Sequence, residues 1–193
     1  MNTPTILTPN FGSMERNFEE NENGLLVCGR VKIWTKERGK QSRLVVDTPN
    51  TVVSQGISFL AHSLVPTGQT QTSYTNANSF IDAIKLGTDG TAVTASDTDL
   101  VSSSGDQYSY TLTASDRELT PSGATITTGT GLTVSVNLTE SQGNGSGTRA
   151  YQEAGLYLSS AQGSRLFARV TFATVTKSAT VTLGLSWTVS ISS

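Results

Sequence analysis

Val181-Thr182-Leu183-Gly184-Leu185-Ser186-Trp187-Thr188-Val189-Ser190-Ile191 is the stretch that decides the fold class. Every odd position is apolar, and every even position is Thr, Ser or Gly. Successive side chains of a strand point to opposite faces, so this pattern predicts a strand with one buried and one polar face. Such half-buried alternation belongs to antiparallel sheets, because parallel strands covered on both sides read as unbroken apolar runs. The same parity recurs in Leu132, Val134, Val136 and Leu138, with Thr133, Ser135 and Asn137 between them. It also gives the 25 serines and 30 threonines of this 193-residue chain a place. Thr suits a pleated surface, and Ser and Gly fill turns.

Further strands follow from the same reading. Ala154, Leu156 and Leu158 line one face of a strand, with Tyr151, Glu153 and Tyr157 on the other. Tyr108 to Leu112 alternates, and Phe80 to Leu86 reads as a short strand. Nearer the N-terminus, Gly24–Trp34 and Arg43–Asp47 flank Lys36-Glu37-Arg38-Gly39-Lys40. Val27, Gly29, Val31 and Ile33 share one parity there, and Arg30, Lys32 and Trp34 the other, which predicts a β-hairpin with a charged turn. Only one segment carries a helical period: Val53, Ile57, Leu60, Ala61 and Leu64 mark an apolar face over 51–64. Thr48 or Asn50 is its expected cap, and Val65-Pro66 with Gly68 its end. Residues 1–23 are polar and carry Glu15, Glu19, Glu20 and Glu22, so they read as an extended arm. The prediction is a mainly β chain: an arm over 1–23, then a single antiparallel β-sandwich, jelly-roll-like, over 24–193 with one short helix.

Composition narrows function by exclusion. Thirteen Lys+Arg stand against 15 Asp+Glu, a net charge of −2 that leaves no basic footprint for a nucleic acid. No apolar run approaches the roughly 20 residues of a membrane helix, and the first residues lack a signal-peptide apolar region. The single cysteine, Cys28, excludes an intrachain disulfide and reads as a small core residue. The single histidine, His62, is followed by no second one, so a Gly-x-Ser-x-Gly nucleophile with a later His cannot be built. Asp89, Asp97, Asp99 and Asp106 lie in a Gly/Ser/Thr-rich stretch, where carboxylates cap turns more readily than they hydrolyse glycosides. The expectation is a protein that is not an enzyme and uses no cofactor or metal. Tyr108, Tyr110, Tyr151 and Tyr157 are the aromatics offered for stacking on a sugar, so a carbohydrate- or receptor-binding module is the alternative reading.

Several short motifs resemble tailed-bacteriophage virion proteins. Leu86-Gly87-Thr88-Asp89-Gly90-Thr91-Ala92 with Thr94-Ala95-Ser96-Asp97-Thr98-Asp99-Leu100 is similar to a strand, small-residue loop and Asp-Thr-x-Leu turn found there. Gln152-Glu153-Ala154-Gly155-Leu156-Tyr157 looks like their Glu-Ala-Gly-Leu strand, and Leu166 to Phe172 with Lys177 and the 180–191 strand like their closing pattern. Val31 to Trp34, the basic turn and Asn50 to Gly56 resemble their N-terminal module. The resemblance implies a non-enzymatic structural component of a virion: a tail, neck or baseplate element, or a capsid decoration protein. It carries over no catalytic residue.

Contact residues for such a role follow from charge and aromaticity. Arg30, Lys32, Lys36, Arg38, Lys40 and Arg43 make the hairpin basic, against one acid, Glu37. Phe11, Phe18 and Trp34 are the expected aromatic anchors, since aromatics dominate interface energies. Partners are expected to be copies of the chain, as a trimer, and other virion proteins, with no membrane and no nucleic acid, in a particle assembled from the host cytoplasm.

Overall fold

The computed structural model describes residues 26–63, 81–120, 130–159 and 164–192. The expected arm over 1–23, with Phe11 and Phe18, lies outside the described residues, as does Leu64. The chain is mainly β. β1 (Leu26–Glu37) and β2 (Arg43–Val52) form the hairpin, followed by α1 (Ser54–Ser63) and β3 (Ile81–Gly87). β4 (Tyr108–Thr111), β5 (Arg117–Thr120), β6 (Thr130–Leu138), β7 (Thr148–Leu158), β8 (Arg165–Ser178) and β9 (Val181–Ser192) complete it. All pairings are antiparallel.

The strands run in the order β4-β3-β7-β8-β2-β1-β9-β6-β5 as one continuous nine-stranded sheet. Continuity rests on β2. Its first part pairs with β1, and Thr51 and Val52 pair with Arg169 and Ala168 of β8, respectively. The sheet curls, so its two wings share one core. Val31, Ile33, Val134, Val136, Leu185 and Trp187 of one wing pack with Ile84, Leu86, Tyr151, Leu156 and Val170 of the other. Each such side chain contributes about 1.5–3 kcal/mol on leaving water. Where β3 and β4 face β6 and β9, Tyr108, Tyr110, Leu138 and Leu183 line a small, shallow apolar cleft.

The hairpin forms as its alternation predicts. Val31 and Ile33 are fully buried, and the turn closes with Lys40 N donating to Glu37 O at 2.9 Å. Gly39 takes φ +77°, a left-handed conformation that glycine adopts without a Cβ penalty. β2 runs further than expected, through Thr48-Pro49-Asn50, so these residues do not cap the helix. Asn50 is used inside the sheet instead: its Oδ1 accepts from Trp187 Nε1 at 3.1 Å, and its side chain fills the space that a Cβ on Gly29 would need.

The helix occupies the expected interval but buries a different face. Val53 and Gly56 are buried and Phe59 and Leu60 half-buried, whereas Ile57 is 48% exposed and Ala61 exposed. Gly56 decides this rotation. A Cβ there would stand 2.2 Å from Phe167 O, so the glycine marks the line of closest approach to β8. Phe59 meets Phe167 edge-on, with centroids 6.4 Å apart.

Candidate functional site

Two assemblies of polar residues stand out. The first is the outward face of β1, where Cys28, Arg30, Lys32, Trp34 and Lys36 alternate with the buried Val31 and Ile33. Register places Arg30 beside Thr188, Lys32 beside Ser186, Trp34 beside Gly184 and Lys36 beside Thr182. Thr133, Ser135 and Asn137 of β6 extend the same rows. Trp34 lies over Gly184, whose absent Cβ would sit 3.9 Å from the indole Cε3. Leu44 of β2, 44% exposed, pairs with Trp34 on the other side. The result is a shallow, hydroxyl-lined face with a cationic and aromatic stripe along β1.

The six bases of the hairpin divide into two groups. Arg30 donates to Asp47, holding that carboxyl below the usual range, with Lys32 adding a smaller attraction. Arg38 Nε donates to Glu140 Oε2 at 3.1 Å, which lowers the Glu140 carboxyl, and Lys40 pairs with Glu37. Lys32, Lys36 and Arg43 have no ion-pair partner among the described residues. Cys28 is exposed on this stripe, not in the core, because it shares the parity of Arg30.

The second assembly was not expected. The segment from Thr88 to Gln107 lies as a strap across the outer face of β3, β7 and β8, so β7 is buried on both sides. Glu153 and Tyr157 under the strap are as inaccessible as Ala154, Leu156 and Leu158 facing the core. A β-bulge between Tyr151 and Glu153 shifts the register and sends Tyr151 into the main core. Tyr151 and Tyr157 are therefore interior residues, unavailable to a sugar, and Tyr108 and Tyr110 line the cleft half-buried.

Arg169 and Glu153, both wholly buried, fasten the strap. Arg169 Nε donates to Glu153 Oε2 at 2.8 Å, Nη1 to Asp97 Oδ2 at 2.7 Å and Nη2 to Thr91 O at 2.9 Å. The other oxygen of Glu153 accepts from Ser102 N at 2.8 Å and from the Ser102 hydroxyl. That hydroxyl oxygen in turn accepts from Thr88 N at 2.6 Å and Asp89 N at 2.9 Å. Gly87 makes room: a Cβ there would stand 2.4 Å from Glu153 Oε1. Alongside, the Tyr157 hydroxyl donates to Asp99 and accepts from Leu100 N at 3.1 Å, while Lys85 Nζ lies 4.0 Å from the centre of its ring. Burial, then the Asp99 carboxylate, push the Tyr157 phenol far above its usual range.

The strap acids cap turns as their composition predicts. Asp89 accepts from Thr91 N, and Asp97 from Thr94 N and its hydroxyl. Burial pushes the Asp97 carboxyl up, but the Thr94 donors and Arg169 outweigh it and leave it below the usual range. Chemically the network is a closed lock, with the three Arg169 nitrogens and both Glu153 oxygens occupied by the protein's own groups. Its sequence signal was a charged residue inside an otherwise apolar strand: Glu153 beside Ala154-Gly155-Leu156, and Arg169 between Ala168 and Val170. The segments 86–100, 152–157 and 166–172, separated along the chain, meet at this lock. No family model, curated protein or solved structure matches the chain.

Proposed function

We propose that the chain is a non-enzymatic structural component of a tailed-phage virion, in the tail, neck or baseplate or as a capsid decoration, assembling through its arm and sheet surfaces. The observation that carries this reading is the outward face of β1, β9 and β6. It is a broad, shallow surface of short hydroxyls edged by Lys32, Trp34 and Lys36, of a kind that packs against another protein face. The lock adds a supporting argument. Three of the stretches that resemble virion proteins, 86–100, 152–157 and 166–172, act inward on the strap, and the stretch from Val31 through the basic turn contributes to the outward face. The reading includes a jelly-roll-like sandwich made of the two wings, a trimeric assembly and a location in the particle. The glycan alternative has the weaker support, because two of its four tyrosines are interior. The deciding experiment deletes residues 1–23 and, separately, introduces K32E/K36E, then follows incorporation into assembled particles. Loss of incorporation with an unchanged circular dichroism spectrum is expected; normal incorporation of both variants would overturn the proposal.

A further inference from the structure

The two polar assemblies carry opposite charge. On the β1 stripe Arg30 is matched by Asp47, whereas Lys32 and Lys36 have no ion-pair partner among the described residues. The strap, residues 88–107, holds Asp89, Asp97, Asp99 and Asp106 and neither Lys nor Arg. Asp97 is taken up by Arg169, and Asp99 by the Tyr157 hydroxyl, with Lys85 Nζ 3.9 Å away. Asp89 and Asp106 have no ion-pair partner among the described residues, and the nearby Arg149 donates to the carbonyls of Gly105 and Gln107 instead. Both acids belong to one patch around Ser102. Its hydroxyl accepts from Asp89 N at 2.9 Å, and Asp106 accepts from the adjoining Ser103 hydroxyl at 2.6 Å. Val101, the neighbour on the other side, is an exposed apolar residue. Each surface therefore joins two uncompensated charges to apolar side chains: Lys32 and Lys36 with Trp34 and Leu44, Asp89 and Asp106 with Val101. The stripe lies on the outer side of the β1–β9–β6 wing and the patch on the outer side of the β3–β7–β8 wing, with the shared core between them. A chain cannot seat its own patch on its own stripe, but a second copy can.

We infer that the occupant of the β1 stripe is the strap of a second copy of this chain, with Asp89 and Asp106 against Lys32 and Lys36 and Val101 against Trp34 and Leu44. Opposite potentials on the two surfaces set their orientation and speed their encounter. The lock prepares the patch: Arg169 and Glu153 hold the strap in place before contact, and a preorganised surface loses little freedom on binding. Each chain offers one surface and accepts the other, so the contact is heterologous and builds a ring where the rotation closes and an open row where it does not. The inference rests on the reading of this face as an assembly surface and names its partner.

The test is analytical ultracentrifugation of the purified full-length chain over a concentration series in low salt. The average mass should rise past that of a dimer, and return to that of a single chain in about 0.5 M NaCl, which screens exposed charge pairs. K32E/K36E and D89K/D106K should each remain single chains. Mixed in equal amounts they should associate again, because every reversed charge then meets its opposite on the other variant. V101K keeps the main-chain hydrogen bond from Val101 N to Glu153 and should weaken association by about tenfold or more. Circular dichroism on each variant separates loss of contact from loss of fold, and if D89K/D106K does not fold, K32E/K36E and V101K decide. A parent that stays single up to about 1 mM, or K32E/K36E or V101K associating as tightly as the parent, would overturn the inference. So would a mixture of the two folded charge variants that forms no complex. Because the test uses no particle, a single-chain parent whose K32E/K36E variant still loses incorporation would overturn this contact and leave the virion reading standing, with the stripe facing a different protein.

Discussion

Arg169 and Glu153 illustrate how a buried charge is tolerated at the scale of single residues. An ion in the interior loses its hydration, at a cost of several kcal/mol, and is stable only when each polar atom finds a partner. Three guanidinium nitrogens and both carboxylate oxygens are so engaged here, partly by backbone groups of the strap. Removing one side of the pair leaves the other buried and unmatched, which costs about 3–5 kcal/mol. R169M should therefore lower the urea midpoint severely, and so should E153A, while R169M/E153M should recover much of the loss because two apolar groups leave no orphan charge. Near-additive losses in the double variant would show that the pair is not coupled as described.

Elements show which features are legible in local pattern and which are not. β1, β6 and β9 could be read directly, because each has one buried and one polar face and a two-residue period reports that. β7 could not: the strap covers its outer face, so both parities are interior, and the bulge after Tyr151 breaks the count. The helix was legible in place but not in orientation, since Gly56 contributes nothing to an apolar period and yet is the residue pressed against Phe167. Of the candidate face, the cationic stripe was visible in the hairpin's alternation, while the lock also needs Ser102 and Asp97, which stand 51 positions from Glu153 and 72 from Arg169 respectively. The strap also has a pH dependence of defined sign. Asp97 and Asp89 titrate below their ordinary values when folded, so their contribution is complete above the ordinary Asp pKa of about 3.9 and is lost as pH falls through their depressed folded values. Protection of the Thr91 and Thr94 amides, which donate to these carboxylates, should decline in acid before that of the β9 amides, as read by hydrogen exchange. D97N should remove much of this pH dependence at Thr94; an unchanged profile would contradict the assignment.

At the scale of the whole molecule, the two wings are joined through few backbone pairs and many side chains. β2 contributes only Thr51 and Val52 to the pairing with β8, so the ladder alone would couple the wings weakly. The shared core supplies the rest, with Trp187, Leu183 and Val136 packing toward Tyr151, Leu86 and Ile84. Coupling through a common core makes unfolding cooperative, because neither wing keeps its apolar face covered once the other opens. Both tryptophans, Trp34 and Trp187, belong to the β1–β9 wing, so their fluorescence follows that wing while far-ultraviolet circular dichroism follows both. The two urea transitions should coincide in the parent. L183A removes a buried side chain at the seam and should cost about 2–5 kcal/mol, moving both transitions together. If the fluorescence transition moved alone and the dichroism split into two steps, the wings would be independent units, and the curled sheet would be held by its two-residue ladder instead of its core.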